Sequence, residues 1–156
     1  MRTLGTLALV ALSALLTGCV TPTLNSSSGL SAGTFAKVNG AVADALAEDS
    51  VTILASLFAP ATTYVVFHQG EESELGQSIE KRMRNRGYSV DVSFRTEEEL
   101  PRESAVVRYV ADEMGGLVRL TVVVYGIDKR DYTVLSRGYV VRRAEVIPAG
   151  SWARQG

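Results

Sequence analysis

The hydrophobic pattern of the first folded segment has helical spacing. Apolar residues recur at intervals typical of one helix face, at Phe35, Val38, Val42, Ala45 and Leu46, and Thr34 before them is a suitable N-cap residue. The apolar run over residues 50–58 predicts either a second helix or a continuation of the first, and Pro60 limits it.

The next stretch predicts a strand, a helix and a second strand. Residues 61–67 are rich in Thr, Tyr and Val, which favours a strand. Leu75, Ile79 and Met83 lie at i, i+4 and i+8, and Gly87 stands where the C′ glycine of a helix belongs. Apolar and polar residues then alternate, with the apolar positions at Tyr88, Val90, Val92 and Phe94. Short joints between these elements predict a parallel strand pair with a right-handed crossover.

The last third of the chain predicts three antiparallel strands. Strand-forming runs cover residues 105–111, 117–125 and 132–142, and turn-like joints at residues 112–116 and 128–131 separate them. The predicted fold class is therefore α+β, with an N-terminal helix, then a βαβ unit, followed by three antiparallel strands. We expect a mixed sheet of about five strands with helices on one face.

The N-terminus has the pattern of an export signal. Arg2 precedes an apolar stretch at residues 4–16, which is too short for a membrane span of roughly 20 residues. Leu16, Thr17, Gly18 and Cys19 resemble the lipobox of bacterial lipoproteins. In that class signal peptidase recognises the residues before the Cys and cuts there, and the Cys then carries acyl chains such as palmitate. We expect residues 1–18 to be a signal peptide and Cys19 to be lipidated. The alternatives are an ordinary secretory signal with a chance Cys, or an uncleaved anchor.

The residues after Cys19 predict a tether and a location. Val20, rather than Asp, follows the Cys, which by the usual sorting of such lipoproteins in Gram-negative bacteria points to the outer membrane. Residues 20–34 are uncharged and rich in Ser, Thr and Gly, typical of a flexible linker that spans roughly 20 Å as a coil. The alternative is a segment that becomes ordered against a partner. We therefore expect residues 19–34 to be a lipidated linker and residues 35–156 to be a single periplasmic domain.

Composition and charge disfavour several classes of function. The 156 residues suit one domain, and 46% hydrophobic with 21% charged residues exclude a wholly disordered chain. Sixteen basic residues against 17 acidic residues give a formal net charge of -1, without the basic excess expected of a domain that binds phosphates. One Cys and one His provide too few ligands for a Cys-rich or multi-histidine metal site.

The candidate catalytic residues have simpler interpretations. His68 ends a predicted strand with no second His to join it, which favours a surface or hydrogen-bonding role. Three serines could be proposed as nucleophiles, but none lies in a Gly-x-Ser-x-Gly elbow: Ser93, Ser104 and Ser136. The glutamates at residues 97–99 lack the spacing of a calcium loop. We expect no enzyme activity, no metal and no cofactor.

The basic residues near Gly87 raise the question of nucleic-acid binding. They lie at the end of a helix with an acidic beginning and have no interleaved aromatic residues for base stacking: Lys81, Arg82, Arg84 and Arg86. A solvated helix end, or a contact to an acidic neighbour, is the favoured interpretation. The pair Gly115–Gly116 predicts a hairpin turn rather than a phosphate loop, because a strand follows it. Direct nucleic-acid binding is not expected.

Several segments together resemble the TrbH family of conjugal transfer lipoproteins. A lipobox and a linker precede a helix that ends in residues 54–61, and an amphipathic helix closes with residues 86–90. Residues 135–139 and 148–152 complete the match, while the segment 97–104 matches least well. The resemblance covers most of the chain, and none of its motifs is catalytic.

This resemblance implies a structural role in a type IV secretion system that moves plasmid DNA between bacteria. The lipid would fix the protein to the outer membrane, and its domain would meet other core subunits of the channel, with multiple copies in a ring. The alternative is a tethered periplasmic regulator of a cell-wall synthase, although such a protein would usually need a longer linker.

Two features of the predicted domain suit contacts with partners. An edge strand of the sheet exposes unpaired backbone groups that can pair with a neighbouring sheet. Trp152 is the only Trp and lies in the C-terminal tail, outside any regular pattern. It is a candidate partner contact, because Trp is enriched in interface hot spots. The alternative is that its ring folds back and caps the core.

Overall fold

The computed structural model describes residues 33–69, 72–92, 104–126 and 132–156. These residues form two helices, α1 (Gly40–Leu57) and α2 (Glu74–Asn85), and eight strands. The strands are β1 (Gly33–Thr34), β2 (Tyr64–His68), β3 (Ser89–Asp91), β4 (Ser104–Met114), β5 (Leu117–Tyr125), β6 (Tyr132–Arg142), β7 (Glu145–Pro148) and β8 (Ala153–Gln155). The predicted α+β class is confirmed.

All eight strands belong to one mixed sheet. Its order is β3-β2-β4-β5-β6-β7, while β1 pairs with β4 beyond the end of β2, and β8 pairs with the first half of β6. β2 and β3 are parallel and α2 connects them, as the predicted βαβ unit requires. β4, β5 and β6 form an antiparallel meander. Gly115 and Gly116 make its first turn, and both have the positive φ that a type I′ turn needs.

The sheet has eight strands rather than the predicted five, because three short strands carry weak sequence signals. β1 is the end of the segment predicted to be a linker, where Gly33 and Thr34 pair with Val110 and Ala111. β7 contains Pro148, and β8 is a three-residue strand in the C-terminal tail. β1 pairs with a strand far away in the sequence, β7 forms a hairpin with β6, and β8 pairs with the other half of β6.

Helix α2 follows the sequence prediction closely. Leu75, Ile79 and Met83 are fully buried and form its core face. Ser73 caps the N-terminus by accepting a hydrogen bond from the backbone N–H of Gly76 at 3.1 Å. Gly87 has a φ of +94° just after the helix, the left-handed conformation that a C′ glycine provides.

Helix α1 begins five residues later than predicted, with Asn39 rather than Thr34 at the N-cap position. Thr34 is not its N-cap, because the backbone N–H groups of Phe35 and Ala36 both donate to the carbonyl of Ala111 and hold this segment on the sheet. Phe35 is consequently 69% exposed, and Ala45 lies on the exposed side of the helix. Residues 50–57 continue the same helix, one of the two predicted alternatives.

The two helices run parallel and cover one face of the sheet. Their contacts repeat at a constant offset of 34 residues, from Gly40 with Glu74 to Thr52 with Arg86. The core cluster contains residues of both helices together with one alternating set of strand residues, such as Val107, Tyr109 and Leu120. The prediction of helices on one face therefore holds for the described helices.

A small, partly buried polar network lies at the edge of this core, where β1, β4 and α2 meet. The Tyr109 hydroxyl is 2.7 Å from Ser73 Oγ, and the Thr34 hydroxyl donates to Ser73 Oγ at 3.1 Å. Ser73 Oγ thus accepts from Thr34 and from Gly76, so its own proton is available for Tyr109. The network joins the first strand to the N-terminus of α2.

We expect Gly76→Ala to destabilise the domain, although Ala usually favours a helix over Gly by about 1 kcal/mol. A Cβ at position 76 would lie 2.7 Å from the Tyr109 hydroxyl oxygen, inside van der Waals contact. Overpacking of this kind costs about 1 to 3 kcal/mol. Urea unfolding of the purified domain measures the change.

The matched control is the double variant Gly76→Ala with Tyr109→Phe, which removes the oxygen that the new methyl group meets. Its unfolding free energy should fall by less than the sum of the two single changes. Additive losses would show that the contact between Gly76 and Tyr109 is not the cause.

Candidate interaction surfaces

The predicted lipidation site lies outside the described residues. Cys19 and the signal-peptidase recognition residues Leu16, Thr17 and Gly18 precede Gly33, where the description begins. Their roles stay predictions. Among the helices that are described, none is long and apolar enough to cross a membrane.

The arginines near the C-terminus of α2 form ion pairs with carboxylates of the same chain. Arg82 and Arg86 both bind the carboxylate of Glu48 on α1, with Arg86 Nη2 2.6 Å from Glu48 Oε1. Arg86 also donates to the Thr52 hydroxyl at 3.0 Å. Arg84 pairs with Glu80 one turn earlier on its own helix. The acidic neighbour expected for Arg82 and Arg86 is therefore α1, and within the described ranges three of the four basic residues have carboxylate partners.

The arginines hold Glu48 in its ionised form. The hydrogen bond from Arg86 and the positive charges of Arg82 and Arg86 lower the pKa of Glu48 from its ordinary value of 4.5. Partial burial opposes this shift by raising the pKa. A lowered pKa means that the ionised form of Glu48 is more stable in the folded protein than in the unfolded chain.

The candidate catalytic residues are not brought together. Burial, and then the charge of Arg108, lowers the pKa of His68 at the end of β2. Ser136 shares a hydrogen bond of 3.1 Å with Thr121, and Ser104 is buried at the start of β4. Ser93 and the glutamates 97–99 lie outside the described residues. Within the described part of the chain, no group of three or more His, Cys, Asp or Glu residues could hold a metal ion.

Trp152 folds back against the core. Its ring packs edge-on to Tyr139, with ring centroids 6.4 Å apart, and it is half-buried. Its indole Nε1 is buried without a hydrogen-bond partner. This packing agrees with the capping alternative, and the partner contact proposed for Trp152 stays a prediction.

Asp49 organises the surroundings of Tyr139. Arg137 Nη1 lies 2.8 Å from Asp49 Oδ2, and the Tyr139 hydroxyl donates to the same oxygen at 2.7 Å. Burial, followed by the hydrogen bond to Asp49, raises the pKa of Tyr139 far above its ordinary value. Arg137 also donates to the carbonyl of Gly150 at 2.8 Å, so one charge cluster joins α1, β6 and the C-terminal segment.

The sheet face opposite the helices is partly buried, because Val66 and Val123 on this face are only 1% and 3% exposed. It has an apolar and aromatic row formed by residues of three adjacent strands, Val106, Tyr125 and Tyr132. The next row holds Arg108, Val123 and Val134. The guanidinium carbon of Arg108 lies 5.7 Å from the centre of the Tyr125 ring, and Tyr125 and Tyr132 have ring centroids 6.5 Å apart. We call Arg108, Val123, Tyr125, Tyr132 and Val134 the Arg108 patch.

The strands that form the outer edges are short. β3 ends the sheet on one side with three residues, while β7 and β8 divide the other side between them. The β6–β7 turn places Arg143 and Ala144 at positive φ, a conformation that usually selects Asn or Gly. These edges are where pairing with a neighbouring sheet, as the sequence suggested, would take place.

Sequence reasoning missed the Asp49 cluster and the Arg108 patch. Asp49 and Arg137 are 88 residues apart, and no local pattern links them. The patch had a usable signal, because the segment Val122, Val123 and Val124 is continuously apolar. Such runs are typical of strands that are buried on both faces.

The comparison with protein families gives one match. The model of the family described as conjugal transfer protein TrbH matches residues 24–156. No curated protein and no solved structure matches the chain. The matched region includes all the described residues and begins after the lipobox.

We expect the stabilising effect of Glu48 to depend on pH. Since its folded pKa is lowered, its contribution is fully present above the unfolded pKa and is lost as the pH falls through the folded pKa. Glu48→Gln should therefore reduce the unfolding free energy at pH 7, by about 0.2 to 1 kcal/mol per exposed ion pair lost. Urea unfolding at pH values from 7 to 3 should show the two proteins converging at the acidic end.

Glu113→Gln serves as the control, because Glu113 is exposed on β4, away from the helix pair. It should change stability little at either end of the pH range. A difference between wild type and Glu48→Gln that stays constant down to pH 3 would contradict the role given to the ion pairs.

Proposed function

Because the chain belongs to the TrbH family of conjugal transfer proteins, we propose that it is an outer-membrane lipoprotein of a conjugative type IV secretion system. It acts there as a structural component that anchors or stabilises the outer-membrane core complex during plasmid DNA transfer. The family match over residues 24–156 is the observation that carries this proposal.

The anchor is proposed from the residues that precede the matched region. The lipobox Leu16–Cys19 leaves 13 residues, 20–32, before β1 begins at Gly33. One acyl chain alone gives marginal membrane binding, whereas a multiply acylated Cys19 holds the protein firmly. This tether is followed by β1, which pairs with β4, so the tether would join the lipid to the sheet without an intervening domain.

Ion pairs that connect different helices and strands support the structural role. Glu48, Asp49 and Asp112 all bind arginines of the same chain, at Arg86, Arg137 and Arg119. These pairs join α1 to α2, α1 to β6, and β4 to β5. They stabilise the scaffold, which suits a protein whose surfaces contact other subunits of the transfer apparatus.

Replacing Cys19 tests the anchor and the function together. Cys19→Ser should lose the acyl mass and move from the membrane fraction to the soluble periplasmic fraction, with the thermal melting of the domain unchanged. Donor cells that carry it should transfer plasmid poorly. Fractionation, intact-mass spectrometry and mating assays measure these three outcomes.

Thr17→Ala is the matched control, because it keeps a small residue before the cleavage site. It should be acylated, remain in the outer membrane and support transfer. Outer-membrane retention of Cys19→Ser without acyl mass would overturn the anchor. Normal transfer by cells that lack the whole protein would overturn the structural role, and a defect confined to cell-wall synthesis would favour the regulator.

A further inference from the structure

We propose that one end of the sheet contacts a phospholipid bilayer, the same membrane that would hold the acyl chains of Cys19. This inference rests on the proposed function, because the lipid anchor determines which surface lies next to the domain. The contact is made by apolar side chains of four strands, at the end of the sheet formed by the β4–β5 and β6–β7 turns. We call Met114, Leu117, Val140 and Ile147 the apolar row.

The register of the strands places these four residues side by side. Met114 pairs with Leu117 across the β4–β5 turn, and Val140 pairs with Ile147 on β7. Leu117 lies opposite Val140, one residue beyond the last pair of β5 with β6. The neighbours of Leu117, Val140 and Ile147 along these strands pack against the core, so the row belongs to the face opposite the helices.

This end of the sheet carries most of the exposed apolar area. Met114 is 54% exposed and Ile147 is 42% exposed. Phe35, whose backbone bonds to β4 close to the row, is 69% exposed. Within the described ranges two other large hydrophobic residues are exposed, Val92 beside β3 and Tyr132 at the opposite end of the sheet. A concentration of exposed apolar side chains is typical of a surface that contacts a partner or a membrane.

The β4–β5 turn is also unlike an ordinary surface turn. Such turns usually carry polar residues, whereas Gly115–Gly116 adds no polar side chain between Met114 and Leu117. The nearest arginine on this face is already paired, since Arg119 Nη2 lies 2.5 Å from Asp112 Oδ2. The same guanidinium contacts the Met114 sulfur at 3.6 Å. The tip of the hairpin therefore presents apolar side chains to its surroundings.

The charged residues next to the two turns balance one another. They are Glu113, Arg142, Arg143 and Glu145. Two positive and two negative charges give no net attraction to an anionic membrane. Long charged side chains can keep their heads in water while their stems lie along apolar surface, as they would at lipid headgroups. The contact should therefore depend on the apolar row and persist without anionic lipid.

The tether identifies the bilayer as the occupant. Residues 20–32 would span roughly 20 Å as a coil, and Gly33 pairs with Val110, which precedes Met114 on β4 by about 13 Å. The apolar row is thus within reach of the membrane that would hold Cys19. The tether alone permits several orientations, and the apolar row selects one of them. Since the tether keeps the effective concentration of the membrane high, a weak contact is sufficient.

The experiment uses the full acylated chain in phosphatidylcholine vesicles, with and without phosphatidylglycerol. Cys19 is the only cysteine, so a second cysteine is the only free thiol for a fluorescent label once Cys19 is acylated. Ile147→Cys places the label in the apolar row. Tyr132→Cys is the matched control, because its exposure of 41% is close to that of Ile147 and it lies about 26 Å away along the strands.

The label at position 147 should emit at shorter wavelength and be quenched by lipids with brominated acyl chains, in both kinds of vesicle. The label at position 132 should instead be quenched by iodide in the water. Equal quenching by iodide at the two positions would overturn the proposal. Lipid contact that is lost without phosphatidylglycerol would also overturn it, because the contact would then depend on charge.

Acidic substitutions provide a second test. The double variant Phe35→Asp with Met114→Asp changes two exposed side chains, so thermal melting should change little, while the label at position 147 should become accessible to iodide. Val92→Asp changes an exposed apolar residue away from the row and should leave the label in lipid. A label that stays in lipid in the double variant would overturn the proposal.

Flotation of the vesicles separates this contact from the anchor. A protein that floats with its position 147 label in water contradicts the contact alone, whereas a protein that does not float overturns the anchor and the contact with it. The label at position 147 is also measured in Cys19→Ser without vesicles, where it should be in water. Protection there would mean that the chain itself or a second copy covers the row, and would overturn the proposal.

Discussion

The parallel packing of two helices on one face of the sheet is the constraint on which the rest of the structure depends. Parallel neighbours place the like ends of their dipoles side by side, which is unfavourable. The chain offsets this with ion pairs between the helices, in which Arg82 and Arg86 both bind Glu48, 34 and 38 residues earlier in the chain. Hydrogen bonds between α1 and the α2 segment repeat every helical turn at an offset of 34 residues, from Gly40 with Glu74 to Thr52 with Arg86, and these contacts fix the register of the helices. That register in turn determines which residues of α1 reach β6, where Asp49 binds Arg137 and Tyr139.

The sequence predicted the elements whose signals are local. Helix α2 combines an apolar face and a terminal glycine, and the structure contains both, while its N-cap Ser73 was not predicted. The start of α1 could not be predicted in the same way. Phe35 and Val38 fit a helical period, but the backbone of Phe35 bonds to Ala111, a residue 76 positions later. The strand β1 was missed for the same reason, since pairing with a distant strand outweighs local preference. The strands β7 and β8 were missed because they have only four and three residues, too few for a clear alternating pattern.

The interaction surfaces were harder to predict than the fold. The basic cluster at the end of α2 invited a nucleic-acid interpretation, and its actual partners lie on a helix about 34 residues earlier. Trp152 was recognised as unusual, but its contact with Tyr139 follows from the pairing of β8 with β6.

Both faces of the sheet contain buried apolar side chains. The helix-covered face contains Tyr109, Leu120 and Leu135 and provides the hydrophobic core. On the opposite face Val66 and Val123 are also buried, at 1% and 3% exposure. This burial explains why Val122, Val123 and Val124 form a continuous apolar run, since a strand buried on both faces has no polar position to alternate with. At the end of the β5–β6 pair the second face becomes accessible, because Tyr132 is 41% exposed.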